Sequence, residues 1–409
     1  MGIIHNYTYR IKRLLSIQYQ HRIYNPRLAR RLRSKEKIRF LFLLQTLPQW
    51  KTESLYLAML HHPRFEPILG ITPSVEIPGE EKELEKYCQH KDYQYIWLDP
   101  DKTLVEQAAP DVVTYQKPYV KQTSEAHKID NNPGVLCVLI PYYMTNMLSS
   151  FLQNRPIQLK CWQEYFENES VCKENAKLHH GHGINYVVTG LPVMDIFNQP
   201  KESFDNPWQK AGNRRRLIYA PHHTITGNFV KEVVFSTFLE NGEYMLEMAK
   251  KYKDDVYFVF KPHPLLYTKL CDYWGKERTD SYWEQWRTME NSHIEEGEYI
   301  GLMKHSDAMI HDCGSFTIEY MFTSNPVMFL LNKSYNENNL CSYAKEALAL
   351  HEKGRCHEDI DNFISRVVRG EDKHRQVRTD FVKRHLTPPH GRSACDNIIC
   401  AILGEGGYK

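Results

Sequence analysis

Short apolar runs alternate with helical stretches of about ten residues along nearly the whole chain, and this pattern most constrains the fold. Residues 38–44 (Ile-Arg-Phe-Leu-Phe-Leu-Leu) read as a buried strand and residues 52–60 as a helix. Residues 65–71 read as a strand stopped by Pro73, 80–90 as a helix and 95–98 as a strand. Further strands are expected at 111–115, 135–140 and 186–192, the last ending in a Gly/Pro turn. Residues 198–213 lose all periodicity and carry Pro200, Pro207 and Gly212, so they read as a linker. The alternation then restarts with strands at 216–220, 256–260, 308–311 and 327–331. A long helical region spans 230–252, a Trp- and Tyr-rich insertion covers 273–291, a helix opens at Phe316, and the last ~60 residues look helical. Alternating strands and helices mean βαβ units on a mostly parallel sheet. The expectation is an α/β chain of two Rossmann-like domains facing a central cleft, with ligands outside the carboxyl ends of the strands.

Residues 1–40 stand apart. They hold eleven basic residues and a single acid, Glu36, a net +10 that leaves −8 for the rest of a chain whose total is +2. Ile4, Tyr7, Ile11, Leu14 and Leu15 recur at helical spacing, with Arg10, Lys12 and Arg13 off that face, and Pro26 ends or restarts the helix. Such a segment suits an anionic membrane surface; it also suits a solvated helix packed by its apolar stripe. The expected domains are therefore 1–37, a basic amphipathic membrane-surface segment; 38–200, the first Rossmann-like domain; and 214–409, the second.

Several classes drop out. No run approaches the ~18–20 apolar residues of a membrane-spanning helix. The N-terminal stretch has no apolar core followed by a small-residue cleavage site, so no export is expected. The ten cysteines are scattered with no Cys-x-x-Cys pair, which reads as a reduced, cytosolic chain rather than a zinc ribbon or a disulfide scaffold. The small net charge gives no sign of a nucleic-acid partner. His179, His180 and His182 share a Gly-rich turn, yet no acid is spaced to complete a metal site, so no metal and no cofactor are expected.

Four loops of the second half fall directly after expected strands: Pro221-His222-His223-Thr224, Lys261-Pro262-His263-Pro264, Asp312-Cys313-Gly314-Ser315-Phe316-Thr317, and the loop starting Asn332-Lys333. In the third, Gly314 permits a tight turn and Ser315 and Thr317 open a helix. Free N–H groups and hydroxyls there suit a pyrophosphate; plain N-capping is the structural use of the same residues. His263, fixed between two prolines beside Lys261, can hydrogen-bond a phosphate oxygen or give a proton to a leaving group; a buried structural histidine is the alternative. His222 and His223 carry the same two readings.

These residues carry a resemblance. Lys261–Pro264, residues 306–320 (Ser-Asp-Ala-Met-Ile-His-Asp-Cys-Gly-Ser-Phe-Thr-Ile-Glu-Tyr) and Asn325–Phe329 resemble, in order and spacing, the signature loops of the CDP-glycerol glycerophosphotransferase family, the teichoic-acid-type polymerases and primases. Val187–Asp195 resembles that family's VTGYPRxD segment, Tyr219-Ala220-Pro221 its YAP strand end, and His390–Ala394 its C-terminal DGxAS. The resemblance covers about residues 170–400 and is looser upstream, resting there on Pro110–Tyr115. It implies a GT-B-like fold, no metal or cofactor, peripheral attachment to the cytoplasmic side of the inner membrane, a CDP-alditol donor and a lipid-linked glycan acceptor. It places catalysis on His263; the strand-end position of His222 and His223 adds the expectation that they, with Thr224, touch the transferred phosphoryl group. Lys261, Thr224, Asp312, Gly314, Ser315, Thr317 and Glu319 would bind nucleotide or substrate, Glu319 at the ribose hydroxyls. The chain departs from the pattern in three places. No His-Gly pair stands in the first half, where Val135–Ile140 runs into Pro141-Tyr142-Tyr143; Val193 replaces the family's Arg; and His222-His223 replaces Thr-Trp-Arg. The other readings are a GT-B glycosyltransferase using a nucleotide sugar, a non-catalytic membrane-surface scaffold, and an epimerase-like enzyme on a related fold.

Overall fold

The computed structural model describes residues 12–75, 78–118, 123–225, 235–297, 299–333 and 335–408. The chain divides into two compact units. One comprises Met1–Met144, Leu148–Ile196 and Thr387–Lys409; the other comprises Thr145–Met147 and Phe197–Leu386.

The first unit holds a seven-stranded sheet of β1 (Ile38–Leu44), β2 (Phe65–Ile71), β3 (Tyr95–Trp97), β4 (Val112–Tyr115), β5 (Leu136–Leu139), β6 (Gln163–Phe166) and β7 (Tyr186–Val188). Their spatial order is β3-β2-β1-β4-β5-β6-β7, and every pairing is parallel. The second unit repeats the plan with β8 (Arg215–Ala220), β9 (Val256–Phe260), β10 (Ser292–Ile294), β11 (Ala308–His311), β12 (Val327–Leu330) and β13 (Glu352–Gly354). They lie in the order β10-β9-β8-β11-β12-β13, again all parallel. Both sheets follow the doubly wound 3-2-1-4-5-6 order, so each is Rossmann-like. Their strand order reverses between β1 and β4 and between β8 and β11, which fixes where each opens a ligand crevice.

Parallel strands covered on both faces must be apolar along their whole length. β9 (Val-Tyr-Phe-Val-Phe) is buried at every residue and β1 at all but Arg39. The segment expected as a Trp-rich insertion is instead core. Two helices, Leu266–Trp274 and Lys276–Thr288, cross from β9 to β10, and the second lays Tyr282, Trp283 and Trp286 on the sheet. The Trp286 ring stacks on Phe260 with centroids 5.2 Å apart. Nor is the end of the chain all helical, because β13 adds an edge strand there. Of the expected helix at 230–252, Phe238–Lys251 is formed, while 226–234 lie outside the described residues.

The expected second domain, 214–409, is corrected at its end. Thr387–Lys409 belong to the first unit, and the division in the middle falls after Ile196 rather than in the linker. The linker is itself packed on the second unit: Trp208 is buried and its indole N–H donates to the Leu302 carbonyl (3.0 Å).

Residues 12–33 are helical. A π-turn at Gln20–Tyr24 runs on into the helix Asn25–Arg33, so Pro26, expected to end or restart the helix, lies within a continuous helical run, and the π-turn stands just before the position where it withholds an N–H. Ile17, Ala29 and Leu32 are buried, whereas Leu15, Tyr19 and Ile23, spaced four apart, are more than half exposed. Ile4, Tyr7 and Ile11 lie outside the described residues.

Candidate functional site

The crevice of the second sheet opens between the loops that leave β8 and β11. The β8 loop is Pro221-His222-His223-Thr224 and the β11 loop is Asp312-Cys313-Gly314-Ser315; the Lys261–Pro264 loop of β9 adjoins them. His222, His223 and His263 meet here, with ring centroids 4.4 Å (222–223), 5.0 Å (222–263) and 4.1 Å (223–263) apart. Their facing nitrogens all lie within 4.8 Å of one another.

The hydrogen bonds around the cluster set the chemistry of two of its rings. The Leu265 N–H donates to His263 Nδ1 (3.1 Å). Neutral His263 therefore carries its hydrogen on Nε2 and presents a donor. At His222, Nδ1 lies 3.4 Å from the Thr224 N–H and 3.0 Å from Thr224 Oγ1. That hydroxyl oxygen already accepts from the N–H groups of Phe235 (3.0 Å) and Ser236 (3.4 Å), so its own hydrogen goes to His222. His222 Nδ1 is thus an acceptor and its Nε2–H a donor too. Burial holds all three imidazoles below their usual titration range. His263 is pushed down to about 3 by burial, then by His223 and Lys261; His222 falls by burial and its two neighbours, and His223 by burial and Lys269. At neutral pH the cluster is uncharged and offers N–H donors, which suits an oxyanion. A metal-bound imidazole donates its other N–H to an acceptor, whereas the Nδ1 atoms of His222 and His263 both accept from donors. The arrangement fits hydrogen bonding to a phosphoryl oxygen better than metal ligation.

Other residues expected in the site turn away from it. Asp312 is fully buried, and its carboxylate accepts from the His222 N–H (2.6 Å), the Thr237 N–H (2.6 Å) and the Thr237 hydroxyl (2.9 Å). It ties the histidine loop to the start of helix Phe238–Lys251, and burial raises its pKa to about 7. Lys261 is buried with Nζ near the Glu295 (3.3 Å) and Gly297 (3.0 Å) carbonyls, so its ammonium clamps the loop after β10. Thr224 pins its own loop. Thr317 is buried and its hydroxyl turns back on the Cys313 carbonyl (3.5 Å); Glu319 is buried on the same short helix. These are positioning groups. The helix opening at Phe316 is only four residues, Phe316–Glu319, running on as a 3₁₀ turn, so its dipole is small and the expected helix-terminus cradle is weaker than its motif suggested. Ser315 stays partly exposed, its Oγ 3.4 Å from Cys313 Sγ and not used as a cap.

Two neighbours were not anticipated. Phe235 packs edge-on against His222 (5.3 Å) and beside Tyr335 (5.8 Å), giving the crevice an aromatic wall. Asn146 lies against Gly314. Neither stands in a strand-end motif, so nothing in the sequence pattern marks them. His179, in the Gly-rich turn, is buried; its Nδ1 accepts from the N–H groups of Gly181 and Gly183 (both 3.1 Å), a structural use.

The first sheet has a crevice at its own reversal point. Gln45, Thr46 and Gln49 follow β1 there, and Gln116, Lys117 and Thr123 follow β4.

No family model matches this chain, and no curated protein sequence matches it. Solved structures do. A putative UDP-N-acetylglucosamine 2-epimerase from Listeria monocytogenes is 15% identical, with 90% of this chain and 96% of that one covered at a TM-score of 0.58. The UDP-GlcNAc 2-epimerase of Neisseria meningitidis, solved with UDP-GlcNAc, is 15% identical over 90% and 100% at 0.57. A variant of the wall teichoic acid polymerase TagF, soaked with CDPG, is 12% identical over 97% and 98% at 0.58. At these identities the likeness concerns architecture. The fold is α/β and GT-B-like, two Rossmann-like domains built on parallel sheets.

Proposed function

We propose that this protein is a GT-B-type transferase of cell-surface polymer synthesis that moves an alditol phosphate, such as glycerol phosphate, from a CDP-alditol to a lipid-linked glycan, releasing CMP. One observation carries the reading. The loops that resemble the glycerophosphotransferase signature converge on the reversal point of the second sheet, and there they assemble neutral imidazole donors. The acceptor hydroxyl attacks the β-phosphorus and negative charge grows on the bridging and α-phosphate oxygens. Catalysis of this kind depends on positioned donors rather than covalent chemistry. The Nε2–H groups of His222 and His263 stabilise that charge. With its pKa held down, His263 acts as a hydrogen-bond donor and not as a ready acid. Ser315 and the N–H groups of the Gly314 turn meet the other phosphate oxygens. Asp312, Thr224 and Lys261 hold the loops in place. On this reading the first unit takes the acceptor, whose hydroxyls match the amide- and hydroxyl-lined crevice of Gln45, Thr46, Gln49 and Gln116. The basic segment 12–33, with Leu15, Tyr19 and Ile23 outward, rests on the cytoplasmic face of the inner membrane.

A nucleotide-sugar substrate is the second reading, favoured by the fold likeness to proteins named as UDP-GlcNAc 2-epimerases. Incubation with CDP-glycerol, CDP-ribitol, UDP-sugars and CMP-sugars, with a lipid-linked acceptor present or absent, separates the two. CMP released from a CDP-alditol only with acceptor is the expected result, lost in a folded His263→Ala protein. Release of UDP from a UDP-sugar, with no turnover of either CDP-alditol, refutes the proposal.

A further inference from the structure

Three imidazoles crowd the second unit's crevice, but only two are committed to hydrogen bonds. Nδ1 of His222 takes the Thr224 donors and Nδ1 of His263 takes the Leu265 N–H. Each of these rings therefore carries its hydrogen on Nε2 as a donor, and a further proton could enter only by breaking those bonds. His223 differs. Its half-buried ring lies against the other two imidazoles, with centroids 4.4 and 4.1 Å away, and among the described residues no hydrogen bond fixes its tautomer. Among the described residues it is the one ring of the three whose lone pair no hydrogen bond takes.

The surroundings decide when it takes a proton. Burial disfavours a cation on His223, and Lys269, on helix Leu266–Trp274, does so next. The Asp312 oxygens are turned to the His222 N–H and to Thr237, and Glu295 Oε1 is turned to the Gly297 N–H (2.7 Å). The ligand-free cluster is neutral first of all because it is buried, and an oxyanion held by the two Nε2–H donors would bring a counter-charge to it. A dianion a few ångströms from His223 stabilises the imidazolium and opposes the effects of burial and Lys269.

We propose that this site binds a phosphate-type dianion together with one proton: His222 and His263 are the neutral donors and His223 is the proton acceptor. Proton and anion then bind cooperatively, and affinity falls as pH rises through the range between the free and bound pKa values of His223. The proton comes from solvent and no bond other than N–H is made. That the natural anion is a nucleotide diphosphate rests on the function proposed above; the division of labour among the three rings does not.

Sulfate is the direct probe, because it keeps both charges throughout the range used. Calorimetric titration of the full chain in two buffers of different ionisation enthalpy reads affinity and proton uptake together. Between about pH 8 and pH 6 the wild type should gain up to about tenfold in affinity per pH unit and take up close to one proton per sulfate. In His223→Asn both the gain in affinity on lowering the pH and the proton uptake should be gone. His263→Ala should bind weakly at every pH. Far-UV and near-UV circular dichroism establish that each variant is folded. Sulfate binding without proton uptake, uptake that survives in His223→Asn, or no sulfate binding at all overturns the proposal. So does stoichiometric Zn²⁺ binding that is lost in His263→Ala, since it would make the rings ligands. A second arm with CDP-glycerol separates this inference from the function. Proton-coupled sulfate binding with no binding of CDP-glycerol or any other nucleotide diphosphate keeps the ring assignment and removes the transferase reading.

Discussion

Gly314 shows what a single residue does for this site. A Cβ at this position would lie 2.8 Å from Asn146 Nδ2 and 3.0 Å from the Phe235 ring. The glycine lets the loop after β11 pass close under the aromatic wall of the crevice. Gly314→Ala should therefore destabilise the second unit by about 1–3 kcal/mol and weaken sulfate binding. Denaturant unfolding and calorimetry check this, and unchanged values in both would mean the loop has slack. Motif position told where such residues stand but not which way they face. Asp312 lies in the most informative loop, yet its carboxylate is spent on Thr237 and the His222 backbone, partners 75 and 90 residues away. Asp195 is similar. It sits in a segment resembling a family motif, and in the structure it accepts from the Ala394 and Cys395 N–H groups (both 2.8 Å), capping helix Ala394–Leu403 within the first unit. Side-chain direction depends on these long-range partners, so spacing alone does not reveal it.

At the scale of elements, the central strands were legible because they are apolar on both faces. The strands that escaped are short or polar: β6 begins Gln163-Glu164, β10 has three residues, and β13 is Glu-Lys-Gly. β6 is buried throughout despite its charge. Glu164 is 3% exposed, and among the described residues no donor reaches its Oε2. Burial raises its pKa to about 8, against about 4.3 in an unfolded chain. Between these two values the folded protein keeps a proton that the unfolded chain releases. Stability therefore falls as pH rises through this window and levels off above about 8. Glu164→Gln removes that dependence. Its advantage over wild type should widen by more than about 2 kcal/mol between pH 5 and pH 8, followed through the first unit's denaturant transition. An equal difference at both pH values would show that the carboxyl is already ionised in the fold.

For the molecule as a whole, two properties could be read from the sequence only in part. The two-fold repetition of βαβ units was plain, but the return of Thr387–Lys409 to the first unit was not, because it depends on what the last helix packs against. Charge is the other. A total of +2 conceals +10 in residues 1–40. The structure adds what composition lacked, the face that Leu15, Tyr19 and Ile23 turn to solvent at 63%, 56% and 58% exposure. Lys12, Arg22, Arg27, Arg30 and Arg31 are exposed on the same stretch, and no acid lies between residues 12 and 35. An exposed apolar stripe rimmed by cations matches the interface of an anionic bilayer, where each cation near the surface contributes about 1 kcal/mol. Because the three apolar side chains are mostly exposed, changing them together to Gln should leave stability within about 0.5 kcal/mol per site. The same change should sharply reduce co-sedimentation with phosphatidylglycerol vesicles. Added salt should weaken the wild type's binding, and neutral phosphatidylcholine vesicles should retain little of it. If the triple variant binds anionic vesicles as the wild type does, the stripe is not what meets the membrane. If neutral and anionic vesicles bind equally, the cations are not what selects it.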